Sequence, residues 1–233
     1  MQRERIPSET LSEFLRYLAS VEQNNGGRIP SLAELSDQLG ISIASLREQL
    51  EVARALGFVE VRPKTGMRCL PYSFRPAVRQ SLAYAVAIDP GQFQTYSDLR
   101  NHVETAYFLE AVVLLTTEDH KYLMELVESA KKKLHGNPVQ IPHQEHRELH
   151  LSIYKHLENP FVSGLLEAYW ELYEAVGLSV YTDINYLEQV WQYHQKMVEE
   201  IRAGNYTNGY KVLVDHMNLL NQRSKSLSRQ KFE

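Results

Sequence analysis

The sequence predicts a mainly α chain in two parts, a small module of helices closed by a β-hairpin and then an all-α helical bundle. Two observations predict it. Between Arg28 and Arg68, two short runs with helical spacing are separated by a glycine and followed by two strand-like runs around Pro63-Lys64-Thr65-Gly66. Beyond the prolines at 71 and 76 the strand signals stop, and seven helical patterns follow one another. A chain of 233 residues, 43% hydrophobic and 23% charged, is long enough to build two cores. There is no apolar run of about 18 residues and no apolar signal core in MQRERIPSETLSEF, so no membrane partner and a cytoplasmic location are expected. The single cysteine, Cys69, excludes an intrachain disulfide and reads as a packed thiol.

The first helix is expected over Ser8–Val21, with Leu11, Phe14, Leu15 and Leu18 on one face, and Asn24-Asn25-Gly26-Gly27 then marks a loop. Ser31 can cap a second helix carrying Leu32, Leu35 and Leu39, which Gly40 ends by supplying a positive φ. Ser42 can cap a third helix with Leu46, Leu50 and Ala53 inward, closed by Gly57. Phe58–Val61 and Met67–Leu70 then form a two-stranded wing. Together these elements make a winged helix-turn-helix over residues 1–72. Side chains at the outward start of the third helix ordinarily reach base edges, and basic wing residues reach phosphates. The candidate DNA contacts are therefore Arg28, Ser42, Ile43, Ser45, Arg47, Arg62, Lys64 and Gly66. Winged helices also serve as protein-protein modules, and overall charge does not decide between the two. The module holds nine Lys or Arg and nine Asp or Glu, and the whole chain carries −4. Grouping Arg47, Arg54, Arg62, Lys64 and Arg68 on one face would concentrate positive potential there.

The run from Ile29 to Gly66 resembles the N-terminal domain of the GntR family of bacterial transcription regulators. The resemblance rests on Leu35-Ser36, Leu39-Gly40-Ile41-Ser42, Leu46-Arg47-Glu48-Gln49-Leu50 and the wing glycine Gly66. Ile43 departs from the family pattern, which has an Arg directly after the Ser.

Pro71–Pro76 reads as a connector, because two prolines five apart discourage a continuous helix. The second domain, residues 77–229, is expected as helices over Ala77–Ile88, Phe93–Leu115, Glu118–Leu134, His143–Leu157, Pro160–Val176, Asn185–Ala203 and Asn208–Leu227. The breaks are Asp89-Pro90-Gly91, Thr116-Thr117, Gly136-Asn137-Pro138, Asn159-Pro160 and Gly204-Asn205. Aromatic-rich LLEAYWELYEAV, Leu165–Val176, reads as core or dimer interface rather than a cofactor box.

Of the nine histidines, three lie close together in IPHQEHRELH, at His143, His146 and His150. Residues four apart on a helix differ by only about 40° in direction, so His146 and His150 share a face and can hold one ion, whereas Glu145 points elsewhere. On its own, a pair of this kind is more often ordinary polar packing than a metal site.

An all-α domain behind a GntR-like module resembles the FadR-like branch, whose C-terminal FCD domain senses a small molecule and dimerises. Arg100-Asn101-His102-Val103-Glu104 is similar to the Arg-x-x-x-Glu opening of that domain, and Gly204 to His216 to its closing stretch. This resemblance implies a metal site of His146, His150, His194 and His216. The family usually has Asp at the first of these positions, so here the set is four imidazoles. An all-nitrogen set suits Zn²⁺ or Ni²⁺, and also Cu²⁺, better than oxygen-seeking ions. The resemblance further implies that Arg100 meets the carboxylate of a small organic acid effector, although a salt bridge to Glu104 is the competing role. Tyr107 and Asn218 are further candidate cavity residues. The implied function is a homodimeric regulator of operator DNA whose metal and effector modulate binding. A metal sensor, in which the ion itself is the signal, shares the same residues, as does a metal-dependent hydrolase, for which no general base is placed.

Overall fold

The computed structural model describes residues 10–22, 28–63, 66–176 and 184–230. Among them the chain forms two compact units, Met1–Gln80 and Ser81–Glu233. No helix among these residues is long and apolar enough to cross a membrane.

The first unit holds α1 (Glu13–Glu22), β1 (Arg28–Ile29), α2 (Leu32–Leu39), α3 (Ile43–Ala55), β2 (Val59–Arg62) and β3 (Gly66–Cys69). Ser31 begins α2 through a capping box with Glu34, and Gly40 ends it at φ 67°. Ser42 accepts from the Ser45 backbone N–H to begin α3. The turn between the helices is held by the Ser36 hydroxyl, which donates to the Ile41 carbonyl at 2.7 Å. Phe14, Leu18, Ile29, Leu35, Leu46, Leu50, Ala53, Val59 and Met67 form one core, with Cys69 half-buried against it.

The sheet differs from the expected two-stranded wing by one strand. Its order is β1-β3-β2, with Arg28 opposite Arg68 and Ile29 opposite Met67. Two residues are too few for any alternation to show, so β1 carries no periodic signal of its own. The first helix starts at Glu13 instead of Ser8, and Leu11 stands outside it, 38% exposed. The expected Asn24–Gly27 loop, like Lys64 and Thr65 at the wing tip, lies outside the described residues.

The expected connector is shorter than Pro71–Pro76, because α4 (Arg75–Ile88) already includes Pro76. Proline is tolerated in a first helical turn, where its missing N–H would have no helical partner. Its ring lies against Gly57, which has φ 75° and no room for a side chain. A Cβ there would stand 2.5 Å from Pro76 Cγ.

The remaining helices are α5 (Gln92–Val112), α6 (Thr117–Leu134), α7 (His143–Tyr154), α8 (Pro160–Val176), α9 (Ile184–Arg202) and α10 (Tyr206–Gln230). Helix α6 opens with a capping box between Thr116 and Asp119. Asn159 caps α8, its side-chain oxygen accepting from the N–H groups of Phe161 and Val162, with Pro160 first in the helix. α5 stops at Val112 and α7 at Tyr154, each three residues before the expected end. Leu114, Leu115 and Leu157 instead make tight turn hydrogen bonds to carbonyls three residues back. Leu123, Val127, Leu149, Ile153, Val198 and Leu213 are among the wholly buried residues of this second core.

Candidate functional site

Helices α7, α9 and α10 bring the four expected histidines together. His146 and His150 leave one face of α7, His194 comes from α9 and His216 from α10. One ring nitrogen of each lies within 4.8 Å of the corresponding atoms of the other three, and all four residues are buried. His150 Nε2 and His194 Nε2 are 3.2 Å apart. Four nitrogens held tetrahedrally at about 2.1 Å from a zinc ion would be about 3.4 Å apart. His146 Nε2, His194 Nδ1 and both ring nitrogens of His216 are buried without a hydrogen-bond partner among the described residues. Such groups are costly to bury unsatisfied, and a divalent ion takes one lone pair from each of the four rings, so the donor set fits a metal, although one nitrogen of His216 stays unpaired by it.

Burial, reinforced by neighbouring imidazoles and Arg100, holds His146 and His194 well below the usual histidine value. Burial also brings His216 down, to about 3, with help from His150 and Arg100. These rings are neutral across ordinary pH, the form that ligates metal.

Behind His150 stands a feature that periodicity in the sequence did not reveal as part of the site. On α5, Glu104 is wholly buried, and its Oε2 accepts from His150 Nδ1 at 2.9 Å and from Arg100 Nη1 at 3.1 Å. Because a carboxylate can only accept, His150 Nδ1 carries a proton and donates, which leaves Nε2 as the nitrogen able to offer a lone pair to a metal. Burial alone would raise the Glu104 carboxyl, but Arg100 and His150 outweigh it and hold it down at about 2. Arg100 is 1% exposed and lies under Tyr169 and Trp170, 4.4 Å and 5.3 Å from the ring centroids. Its Nε has no partner among the described residues.

The aromatic run on α8 is core, and it is also a wall of the site. Trp170 stands 4.7 Å from the His146 ring and 5.2 Å from that of His150. Beside His146, a small opening of about 10 Å³ lies between Ile141, Pro142, His143, Tyr173 and the first turns of α9. His143 therefore lines an approach and is not a member of the cluster. Glu145 is turned away, bound to Ser129 and Lys133. Asn218 is exposed, and the half-buried Tyr107 hydroxyl accepts from Asn159 at 3.4 Å.

At the start of α3, Ser42, Ile43 and Arg47 are exposed, whereas Ser45 is half-buried and accepts from Gln49 Nε2 at 3.2 Å. Glu60, Arg68 and Arg28 share one row across the sheet. Arg62 is paired with Glu60 at 2.9 Å and Arg54 with Glu51 at 2.7 Å, so much of the module's positive charge is locally offset. Among its described residues, Arg47 and Arg68 are exposed without an ion pair. Gly66, at φ 82°, is exposed at the start of β3.

The FCD domain family matches residues 96–219, which include Arg100, Glu104 and all four histidines. No curated protein sequence matches the chain. Among solved structures, a GntR protein of Streptococcus agalactiae superposes with a TM-score of 0.64 at 19% identity, covering 90% of this chain and 96% of its own. Lar of Listeria monocytogenes, described as controlling expression of the agr system, superposes with a TM-score of 0.50 at 12% identity, covering 91% and 95%. These structures share the fold along nearly the whole length, the helix-turn-helix unit included. The chain belongs to the GntR family of transcription regulators, in the branch whose C-terminal domain is an FCD domain.

Proposed function

We propose that this regulator holds a divalent transition-metal ion on His146, His150, His194 and His216 and that a small organic acid bound beside it alters operator affinity. The observation that carries the reading is the convergence of four buried imidazoles, whose ligand atoms lie within 4.8 Å of one another. The ion, Zn²⁺ or Ni²⁺ by the all-nitrogen set, would act as a Lewis acid for an effector carboxylate. Arg100 is the second contact for that carboxylate, and its unpaired Nε supports the role. The small opening beside His146, walled by apolar and aromatic side chains, is where such an acid would approach the cluster. In the N-terminal unit, Ser42, Ile43, Ser45 and Arg47 at the start of α3 read bases, while Arg28, Arg62, Lys64 and Gly66 support the wing and the backbone contacts. The protein acts as a homodimer on a near-palindromic operator in the cytoplasm.

The test is metal content by mass spectrometry on untagged protein, comparing the natural sequence with a His150→Ala/His216→Ala variant. About one ion per chain, lost in the variant, is the expected result. No ion in either protein would sink the metal assignment and leave the histidines as packing residues. Titrating operator affinity with metal alone then separates an effector-responsive regulator from a metal sensor, because only the sensor responds without the acid.

A further inference from the structure

Glu104 belongs to none of the assignments above, yet it touches both Arg100 and a candidate metal ligand. We infer that Glu104 is the positioning residue of the metal centre, its carboxylate fixing the His150 ring and tautomer so that Nε2 faces the other three imidazoles, with Arg100 locking that carboxylate in place. The inference rests on the metal reading of the four histidines.

Three observations carry it. Glu104 Oε2 is shared between His150 Nδ1 and Arg100 Nη1, at 2.9 Å and 3.1 Å, which leaves that oxygen little freedom to turn away. The opposite nitrogen of the same ring, Nε2, faces His194 at 3.2 Å, so the hydrogen bond and the candidate coordination position lie on opposite sides of one imidazole. Finally, the α5 backbone is tied to α7 at the same level, because the Tyr154 hydroxyl donates to the Glu104 carbonyl at 2.9 Å. The helix that carries the carboxylate is thereby held in register with the helix that carries His146 and His150.

The chemistry favours this arrangement. Four neutral imidazoles leave the full positive charge of a divalent ion uncompensated. A carboxylate behind one ligand makes that imidazole a stronger base and stabilises the bound ion through the ring. Such partners commonly contribute a factor of about 10–100 in metal affinity. A role confined to packing would instead lower folding stability and leave affinity and ligand field unchanged.

The experiment uses the full chain, stripped of metal and reloaded with Co²⁺ or Zn²⁺. Glu104→Gln keeps size and an acceptor but removes the charge. Arg100→Met/Glu104→Gln removes both charges, which guards against misfolding from a stranded guanidinium. Helical circular dichroism establishes that each variant is folded, chelator competition gives Zn²⁺ affinity, and the visible spectrum of the Co²⁺ form reports the ligand field. In both variants, Zn²⁺ affinity about 10–100-fold weaker with a shifted Co²⁺ spectrum is expected. Natural protein that binds the ion beside folded variants with unchanged affinity and spectrum would overturn the positioning role alone. Natural protein that binds no ion would overturn the metal reading and this inference with it.

Discussion

Nδ1 of His150 lies 2.9 Å from the Glu104 carboxylate, although 46 residues separate the two in the chain. That carboxylate is also the partner of Arg100, so two buried groups depend on one anion. Removing one member of a buried pair commonly costs about 3–5 kcal/mol, whereas replacing both by apolar groups of similar volume is often neutral. Urea unfolding of the metal-free protein is expected to show a loss of that size for Glu104→Leu and recovery of most of it for Arg100→Met/Glu104→Leu. Equal losses in the two variants would mean that the pair contributes packing alone.

Acid should weaken the metal-free fold at a pH where few carboxylates titrate. His216 has a folded value of about 3 against 6.5 for an unburied ring. Below 6.5 the unfolded chain therefore takes up a proton that the native ring refuses, and stability falls as pH drops from 6.5 towards 3. At pH 5 the loss from His216 alone is about 2 kcal/mol, and His146 and His194 act in the same direction. Glu104, held at about 2 against 4.5, adds its own loss only below about pH 4.5. Denaturation in a chelator at pH 7 and pH 5 checks this, and equal stability at both would contradict neutral buried imidazoles.

On the DNA side, Arg47→Ala should weaken binding to the duplex that the natural protein selects from a random pool by about 1–3 kcal/mol, relaxing specificity at one position. Lys64→Ala should weaken binding to all sequences alike and reduce the salt slope by up to about one. Arg62→Ala should have a smaller effect than Arg47→Ala, because Arg62 is already paired with Glu60. Gel shifts at several salt concentrations separate the three, and unchanged affinity for Arg47→Ala would remove α3 from the contact surface.

Gly57→Ala and Gly40→Ala make a matched pair. Both positions have positive φ, at 75° and 67°, so both substitutions incur the left-handed penalty of about 1 kcal/mol. A Cβ at Gly40 meets nothing within 4 Å, while at Gly57 it meets the stiff Pro76 ring. Thermal unfolding should show the larger loss at Gly57, by about 1–3 kcal/mol beyond Gly40. Equal losses would mean that the proline moves aside.

Much of this architecture was legible because it is written in short-range chemistry. Ser31, Gly40, Ser42, Thr116 and Asn159 mark their helix ends by type, and Leu35, Leu46 and Leu50 keep the spacing that their burial requires. The four histidines were legible only through their likeness to a family, since no local rule joins His150 to His194 or His216. Glu104 was hidden for a different reason. The inward face of α5 over Ser97, Arg100, Asn101 and Glu104 is polar, so a search for apolar periodicity passes over it. Trp170 was read as core, which it is, but which side of a core tryptophan faces a site depends on contacts made across helices. Strand β1 was missed because it is defined by its partner β3 rather than by its own two residues.

His150 and His194 expose no surface to solvent, and His216 only 1%. His146, 9% exposed beside the small opening, offers a route in that does not require the helices to part, so release is set by that route as well as by the strength of the bonds to nitrogen. Occupancy then averages metal supply over the lifetime of the bound state. An acid that meets Arg100, itself only 1% exposed, would pass the same way, so ion and acid would share one clock.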